Sequence, residues 1–76
     1  MSLTLEKVAR GRKYMIKEIR EAGPATRLLD LGLVPETEIE LIRAAPFGDP
    51  FQFKVRGFYL SLRKEEARNI LVEAAD

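Results

Sequence analysis

The chain has 76 residues, of which 33% are charged and 46% are hydrophobic, and it contains neither cysteine nor histidine. This length predicts one domain spanning residues 1–76, near the lower limit for a single core, and the composition excludes disulfides and thiolate metal clusters. The 13 basic residues are interspersed with 12 acidic ones, so bulk charge indicates no polyanionic ligand.

The first predicted strand covers residues 12–19, where Tyr14 and Ile16 alternate with less apolar neighbours. The next apolar residue on that side, Ile19, comes three positions later instead of two. This irregular spacing predicts a bulge or a strand end near residues 17–18.

A short helix is predicted over residues 24–31, because Pro24 is tolerated at its first position and Gly32 can end it with a positive φ. A β-turn over residues 34–37 then leads into a half-buried strand around residues 38–42. The prolines and the glycine that follow cannot continue that strand.

A β-hairpin is predicted over residues 51–62, with a two-residue turn at positions 56–57. The pairs expected on its core face are Val55 with Phe58, Phe53 with Leu60, and Phe51 with Leu62. The pairs expected on its polar face are Lys54 with Tyr59 and Gln52 with Ser61.

A helical turn over residues 63–68 and a last strand over residues 70–73 complete the predicted elements. Together they favour a mainly β fold, a small SH3-like, partly open barrel of about five strands with one inserted short helix and a late helical turn. We expect the first and last strands to pair and close the barrel. A mixed α+β sheet of another topology is the alternative.

Catalysis is the function that the composition argues against most firmly, because histidine and cysteine, the commonest general base and the thiol nucleophile, are both absent. The hydroxyl side chains have no imidazole to activate them, and the isolated glycines form no phosphate-binding loop. We therefore predict a protein that is not an enzyme and needs no cofactor.

A metal site would have to use oxygen ligands alone. Glu36, Glu38 and Glu40 form the only tight carboxylate series, and period two places Glu38 and Glu40 on one strand face. A solvated strand face is the favoured interpretation, so no metal site is predicted and these two glutamates are weak candidates.

Binding of single-stranded nucleic acid is an alternative function, since small barrels bind single strands beside basic grooves. Lys54, Arg56 and Tyr59 would share one exposed hairpin face. The three phenylalanines of the hairpin are expected to point into the core, which leaves one aromatic ring for stacking. This pattern favours protein binding over nucleic-acid binding.

A protein-interaction module is the favoured class. The apolar residues that periodicity leaves unburied are the partner-binding candidates Leu33, Val34, Ile42 and Phe47. Arg27 and Asp49 are candidate polar anchors. The patch would dock a partner or a second copy, whereas in the alternative interpretation Leu33 and Phe47 simply cover the ends of the barrel.

The chain resembles the FeoA family, small cytosolic proteins of bacterial ferrous iron transport. The matching segments are Arg27 to Leu33, Pro35, Thr37 to Ile39, Ala45 to Pro50, Val55 to Gly57, Leu60 to Arg63, Glu66-Ala67, Ile70 and Val72. The resemblance implies an SH3-like barrel with an inserted helix and an accessory or regulatory role beside the membrane transporter FeoB, whose cytosolic G domain hydrolyses GTP. It does not imply that this chain binds iron.

The location expected from these features is the cytoplasm, with recruitment to the inner membrane face by a partner. No stretch approaches the roughly 18 apolar residues that a membrane-spanning helix needs. Direct insertion into the membrane is therefore not predicted.

One position departs from the resemblance, because the family usually has glycine where this chain has Glu36. A type II turn requires a positive φ there, which costs glutamate more than glycine. We therefore expect a type I turn with a negative φ at Glu36.

Overall fold

The computed structural model describes residues 3–20 and 32–75. Within these ranges the strands are β1 (Leu3–Thr4), β2 (Lys13–Ile19), β3 (Glu38–Ala44), β4 (Phe51–Val55), β5 (Phe58–Leu62) and β6 (Ile70–Ala74). A 3-10 helix (Leu5–Lys7) follows β1. Helix α1 (Lys64–Ala67) lies between β5 and β6, which confirms the predicted late helical turn. The predicted helix over residues 24–31, including Arg27, lies outside the described residues.

The strands form one antiparallel sheet in the order β1-β6-β2-β3-β4-β5. The pairing of β2 with β6 places Tyr14 opposite Ala74 and Ile16 opposite Val72. It joins the first predicted strand to the last, so the predicted pairing is confirmed, whereas the sheet of the described residues stays open, with β1 and β5 as its edges. The mainly β, partly open architecture is confirmed too, and β1 is a further strand that the sequence pattern did not predict.

Two irregularities bend the long strands. The register of β2 against β6 shifts between Ile16 and Glu18, which confirms the predicted bulge. A second shift, between Leu41 and Arg43 of β3, was not predicted. Ile42 lies at this shift and is half-buried instead of exposed.

The β4–β5 hairpin has the predicted register in all five pairs, from Phe51 with Leu62 to Val55 with Phe58. Arg56 and Gly57 both have positive φ, 50° and 84°, as a two-residue turn of type I′ requires. Phe58 lies on the predicted face but is not buried in the core as expected, since 40% of its surface is exposed. Phe58 is the residue next to the turn, on a strand with no neighbour on its outer side.

The core lies inside the curve of this single sheet. Its buried hydrophobic residues are Leu5, Val8, Tyr14, Ile16, Leu33, Ile39, Phe53, Val55, Leu62, Ala67, Ile70 and Val72. Leu33 is 0% exposed, so its prediction as an exposed contact residue is wrong. The side chain joins the core cluster directly after Gly32, whose φ is +87°.

The turn before β3 also differs from the expectation, because Glu36 has a φ of +69°. The predicted negative φ is therefore wrong. Two backbone hydrogen bonds hold the turn against β2: Glu36 N–H donates to the Ile16 carbonyl over 2.7 Å, and Ile16 N–H donates to the Thr37 carbonyl over 2.8 Å. These contacts hold the backbone of Glu36 in the left-handed region.

This conformation predicts that Glu36→Gly is more stable than Glu36→Ala by about 1 kcal/mol, because only glycine adopts a left-handed φ without a steric cost. Both variants lose the exposed ion pair between Lys17 Nζ and Glu36 Oε1, 3.2 Å long, so the comparison isolates the backbone. Urea unfolding of the two variants measures the difference. An alanine variant at least as stable as the glycine variant would contradict a strained turn.

Candidate docking loop and charged groove

The connection between β3 and β4, residues 45–50, is here called the Phe47 loop. Gly48 N–H donates to the Ala45 carbonyl over 2.7 Å, and Ala45 N–H donates to the Pro50 carbonyl over 3.0 Å. Phe47 lies in the turn that these bonds close and is 98% exposed. The loop therefore holds one large apolar side chain in solvent on a hydrogen-bonded backbone.

A side chain of the loop also ties it to helix α1. Asp49 Oδ1 accepts a hydrogen bond of 2.9 Å from the Lys64 backbone N–H. The adjacent Arg63 N–H donates to Glu66 Oε1 over 2.8 Å. Asp49, predicted as a polar anchor for a partner, is thus engaged inside the chain through one carboxylate oxygen and keeps an exposed side chain.

The surface beside the Phe47 loop is polar and carries arginines. Arg43 is opposite Gln52, and Gln52 is opposite Ser61, so the three lie in one row across β3, β4 and β5. They line one shallow depression with Ala45 and Pro50. A second depression next to it is lined by Asp49, Pro50, Ser61, Arg63 and Glu66. Phe47 thus projects from a loop that is flanked by arginine side chains.

The remaining apolar candidates do not join Phe47 in one patch. Val34 is half-buried and precedes β3, whereas Phe47 follows it. The seven residues of β3 separate the two ends by roughly 20 Å at about 3.3 Å per residue. With Leu33 buried and Ile42 half-buried, Phe47 is the one apolar candidate of the four that is fully presented to solvent.

The three glutamates of the carboxylate series lie in a groove with an equal number of cationic side chains. This charged groove is lined by Lys13, Glu36, Thr37, Glu38, Ile39, Glu40, Lys54, Arg56 and Gly57. Lys13 Nζ lies 3.9 Å from Glu38 Oε1, and Glu40 has Lys13 and Lys54 opposite it on the neighbouring strands. Residues 3–20 and 32–75 contain no cluster of three or more acidic side chains placed to hold a metal ion. The weak candidates Glu38 and Glu40 are thus surrounded by lysines.

The residues proposed for nucleic-acid binding do share one face. Lys54 Nζ lies 6.0 Å from the centroid of the Tyr59 ring, which is 58% exposed, and Arg56 lies in the adjacent turn. Glu40 is opposite Lys54 in the sheet, however, and the other glutamates of the charged groove lie nearby. Alternating charges beside a single exposed ring do not make the basic track that a single strand needs.

Sequence reasoning missed the arginine flanks of the Phe47 loop and the outer side of β5. The arginines come together only through the register of three strands. The signal available for β5 was the run Phe58 to Leu62, five residues without a charge in a chain that is 33% charged. No helix in the described part of the chain is both long enough and apolar enough to cross a bilayer.

Comparison with known proteins identifies the family. The FeoA domain model matches residues 3–74. The Fe(2+) transport protein A/Fe(2+) transporter FeoB fusion protein of Porphyromonas gingivalis is 36% identical over 47 residues, which are 62% of this chain and only 6% of that relative. The chain therefore spans a small part of the fusion protein's length.

Solved structures agree with this match. The FeoA-like protein of Clostridium acetobutylicum superimposes with a TM-score of 0.91 at 38% identity, covering 99% of this chain and 88% of that one. The zinc complex of Stenotrophomonas maltophilia FeoA, described as a procaryotic SH3 domain protein, gives a TM-score of 0.83 at 24% identity over 93% of this chain and 89% of that one. The second comparison supports the SH3-like fold alone. Since the family model covers nearly the whole described fold, the chain belongs to the FeoA domain family, a transport-associated family linked to ferrous iron transport.

Proposed function

We propose that the protein is a non-enzymatic accessory of bacterial ferrous iron uptake that binds the cytosolic part of the transporter FeoB. The observation that carries this proposal is the relative in which Fe(2+) transport protein A and FeoB form one polypeptide. Fusion holds two modules at a high effective concentration, so even a weak contact between them is populated. A contact of this kind between the two modules is the function that the fusion suggests.

The surface that suits such a contact best is the Phe47 loop. Burying a phenylalanine side chain contributes roughly 1.5–3 kcal/mol, and aromatic side chains commonly dominate the binding energy of interfaces. Phe47 starts from 98% exposure, so nearly all of its surface is available for burial. The hydrogen bonds from Gly48 to Ala45 and from Lys64 to Asp49 reduce the ordering cost on binding, because the loop is already fixed.

The charged side chains beside the loop would orient the partner on the Phe47 loop. Arg43 and Arg63 line the depressions next to Phe47 and would face acidic groups of the partner. Arg27 remains a candidate anchor outside the described residues. In this proposal the protein works in the cytoplasm, is recruited to the inner membrane face by FeoB, and shifts FeoB between conformations because it binds one of them more tightly.

The test is a titration of the protein against the purified cytosolic region of FeoB from the same genome, with binding measured by biolayer interferometry. Wild-type protein is expected to bind, and Phe47→Asp is expected to weaken binding at least about 10-fold, the factor that a loss of about 1.4 kcal/mol produces. Absence of binding by the wild type would refute the proposed partner.

The matched control is Tyr59→Ser, which removes another exposed aromatic side chain at the opposite end of the hairpin. It is expected to bind the FeoB region as the wild type does. If Phe47→Asp also keeps its wild-type Kd while remaining folded by circular dichroism, the partner stands but the Phe47 loop is not its docking surface.

A further inference from the structure

The outer side of strand β5 is an open edge of the sheet. β5 is the last strand in the order and pairs only with β4 in the described part of the chain. The backbone hydrogen bonds outside the strand ladders that join described residues include none from Phe58 to Leu62. We call this row of residues the β5 edge.

The hairpin turn determines which backbone groups the β5 edge presents. With a two-residue turn, Val55 and Phe58 form a hydrogen-bonded pair, and hydrogen-bonded pairs then alternate along the ladder. Phe58, Leu60 and Leu62 therefore direct their N–H and C=O groups toward β4. Tyr59 and Ser61 direct theirs outward, and both residues are exposed.

The β5 edge lacks the features by which proteins usually protect a free strand. Such edges are kept short, charged, interrupted by proline or bulged. The opposite edge strand, β1, has only two residues. β5 has five residues, carries no charge or proline, and keeps an unbroken register with β4. Phe58 and Tyr59, two of the three large hydrophobic residues exposed among those described, lie on it.

The charges around the β5 edge indicate what could pair with it. Arg56 precedes β5, and Arg63 and Lys64 follow it; the side chains of these three form no ion pair with any described residue. Two nearby carboxylates are engaged, because Asp49 accepts from the Lys64 N–H and Glu66 accepts from the Arg63 N–H. Glu65 is exposed beside Lys64, and Arg56 also lines the charged groove with three glutamates, but no salt bridge joins these carboxylates to the three cationic side chains. Cationic side chains therefore remain available at both ends of an uncharged strand.

A second copy of the chain fits this edge poorly. Antiparallel pairing of β5 with itself over its whole length centres on Leu60. This register would bring Arg56 of the hairpin turn toward Lys64 of α1 in the other copy, at both ends of the paired strands. Like charges that are brought close together repel, which disfavours this pairing.

We propose that the β5 edge accepts an extended segment of another protein as an added β-strand, and that this segment has apolar residues in alternation and acidic residues at its ends. The main-chain groups of Tyr59 and Ser61 supply the hydrogen bonds, as in other complexes formed by strand addition. Alternate apolar side chains of the segment pack against Phe58 and Leu60. Its acidic ends lie beside Arg56 and Arg63. This surface shares Ser61 and Arg63 with the depressions beside the Phe47 loop, but it does not include Phe47 and does not rest on the proposed partner.

The probe for the test is a nine-residue peptide with three alternating valines and two glutamates at each end, added to ¹⁵N-labelled protein. Hydrogen exchange of the Tyr59 and Ser61 amides is expected to slow at least about 10-fold at saturation, as newly hydrogen-bonded amides do. A peptide with lysines replacing the glutamates is expected to bind at least 10-fold more weakly. The same acidic peptide with N-methylated edge-facing amides is expected not to bind.

Variants of the protein add a second test. Ser61→Pro removes one outward N–H at an edge position that tolerates proline, and it is expected to abolish peptide binding, whereas Ser61→Ala retains it. The N-methylated peptide decides the question even if the proline variant does not fold. Equal binding of the acidic and lysine peptides, or amide shifts confined to the Phe47 loop, would overturn the proposal. So would protection of Tyr59 and Ser61 by self-association alone, or by a twelve-nucleotide oligothymidine in place of the peptide.

Discussion

Leu33→Asp is expected to unfold the protein at room temperature, whereas Phe47→Asp is expected to leave its stability nearly unchanged. Leu33 is 0% exposed and packs in the core, so the change loses a buried leucine and places a carboxylate in an apolar site. The combined cost is roughly 4 kcal/mol or more. A single core in a chain of 76 residues rarely supplies more than about 3–5 kcal/mol of stability, so a loss of this size removes most or all of it.

Phe47 differs because 98% of its surface is already in water, and an aspartate there buries no charge. Thermal melts followed by circular dichroism measure both variants, since about 1 kcal/mol shifts the Tm of a domain this size by roughly 4–8 °C. Leu33→Met, which conserves volume and apolarity, is the control and should fold. A folded Leu33→Asp with a Tm near that of the wild type would contradict the burial of Leu33.

The contrast between these residues shows which parts of the fold can be predicted from the sequence. The hairpin was predicted correctly because period two and a two-residue turn are local properties, and they fix the pairing from Phe51 with Leu62 to Val55 with Phe58. The burial of Leu33 and the positive φ of Glu36 were not predicted, because both depend on contacts with distant segments. Leu33 is placed by the core cluster, and Glu36 by its bonds to β2.

The candidate site was predicted less completely for the same reason. Exposure of Phe47 follows from its position in a loop bounded by prolines, which is a local signal. The grouping of Arg43 with Ser61 depends on the ladder across three strands and on the bulge at Ile42. A strand prediction gives the alternation of side chains, but it does not say which strand ends at an open edge. That property of β5 emerges only from the strand order.

Phe53→Ala is expected to destabilise the protein by about 3–5 kcal/mol, as truncation of buried phenylalanines does. Phe53 is 0% exposed at the centre of β4 and makes an edge-to-face contact with Phe51, with ring centroids 6.1 Å apart. The alanine would leave a cavity bounded by strands that the ladder holds in place, so the surrounding core could close it only in part. Urea unfolding measures the loss as a lower midpoint.

Phe58→Ala is the matched comparison, because it makes the same truncation on the same face of the hairpin. With 40% of its surface exposed, Phe58 should cost only about 1–2 kcal/mol when truncated. Equal losses at the two positions would contradict the asymmetry of the hairpin. The expected difference also has a functional consequence, since a Phe58→Ala variant that stays folded can be assayed with the acidic peptide. Weaker peptide binding by that variant would indicate that the exposed part of Phe58 serves the added strand rather than the core.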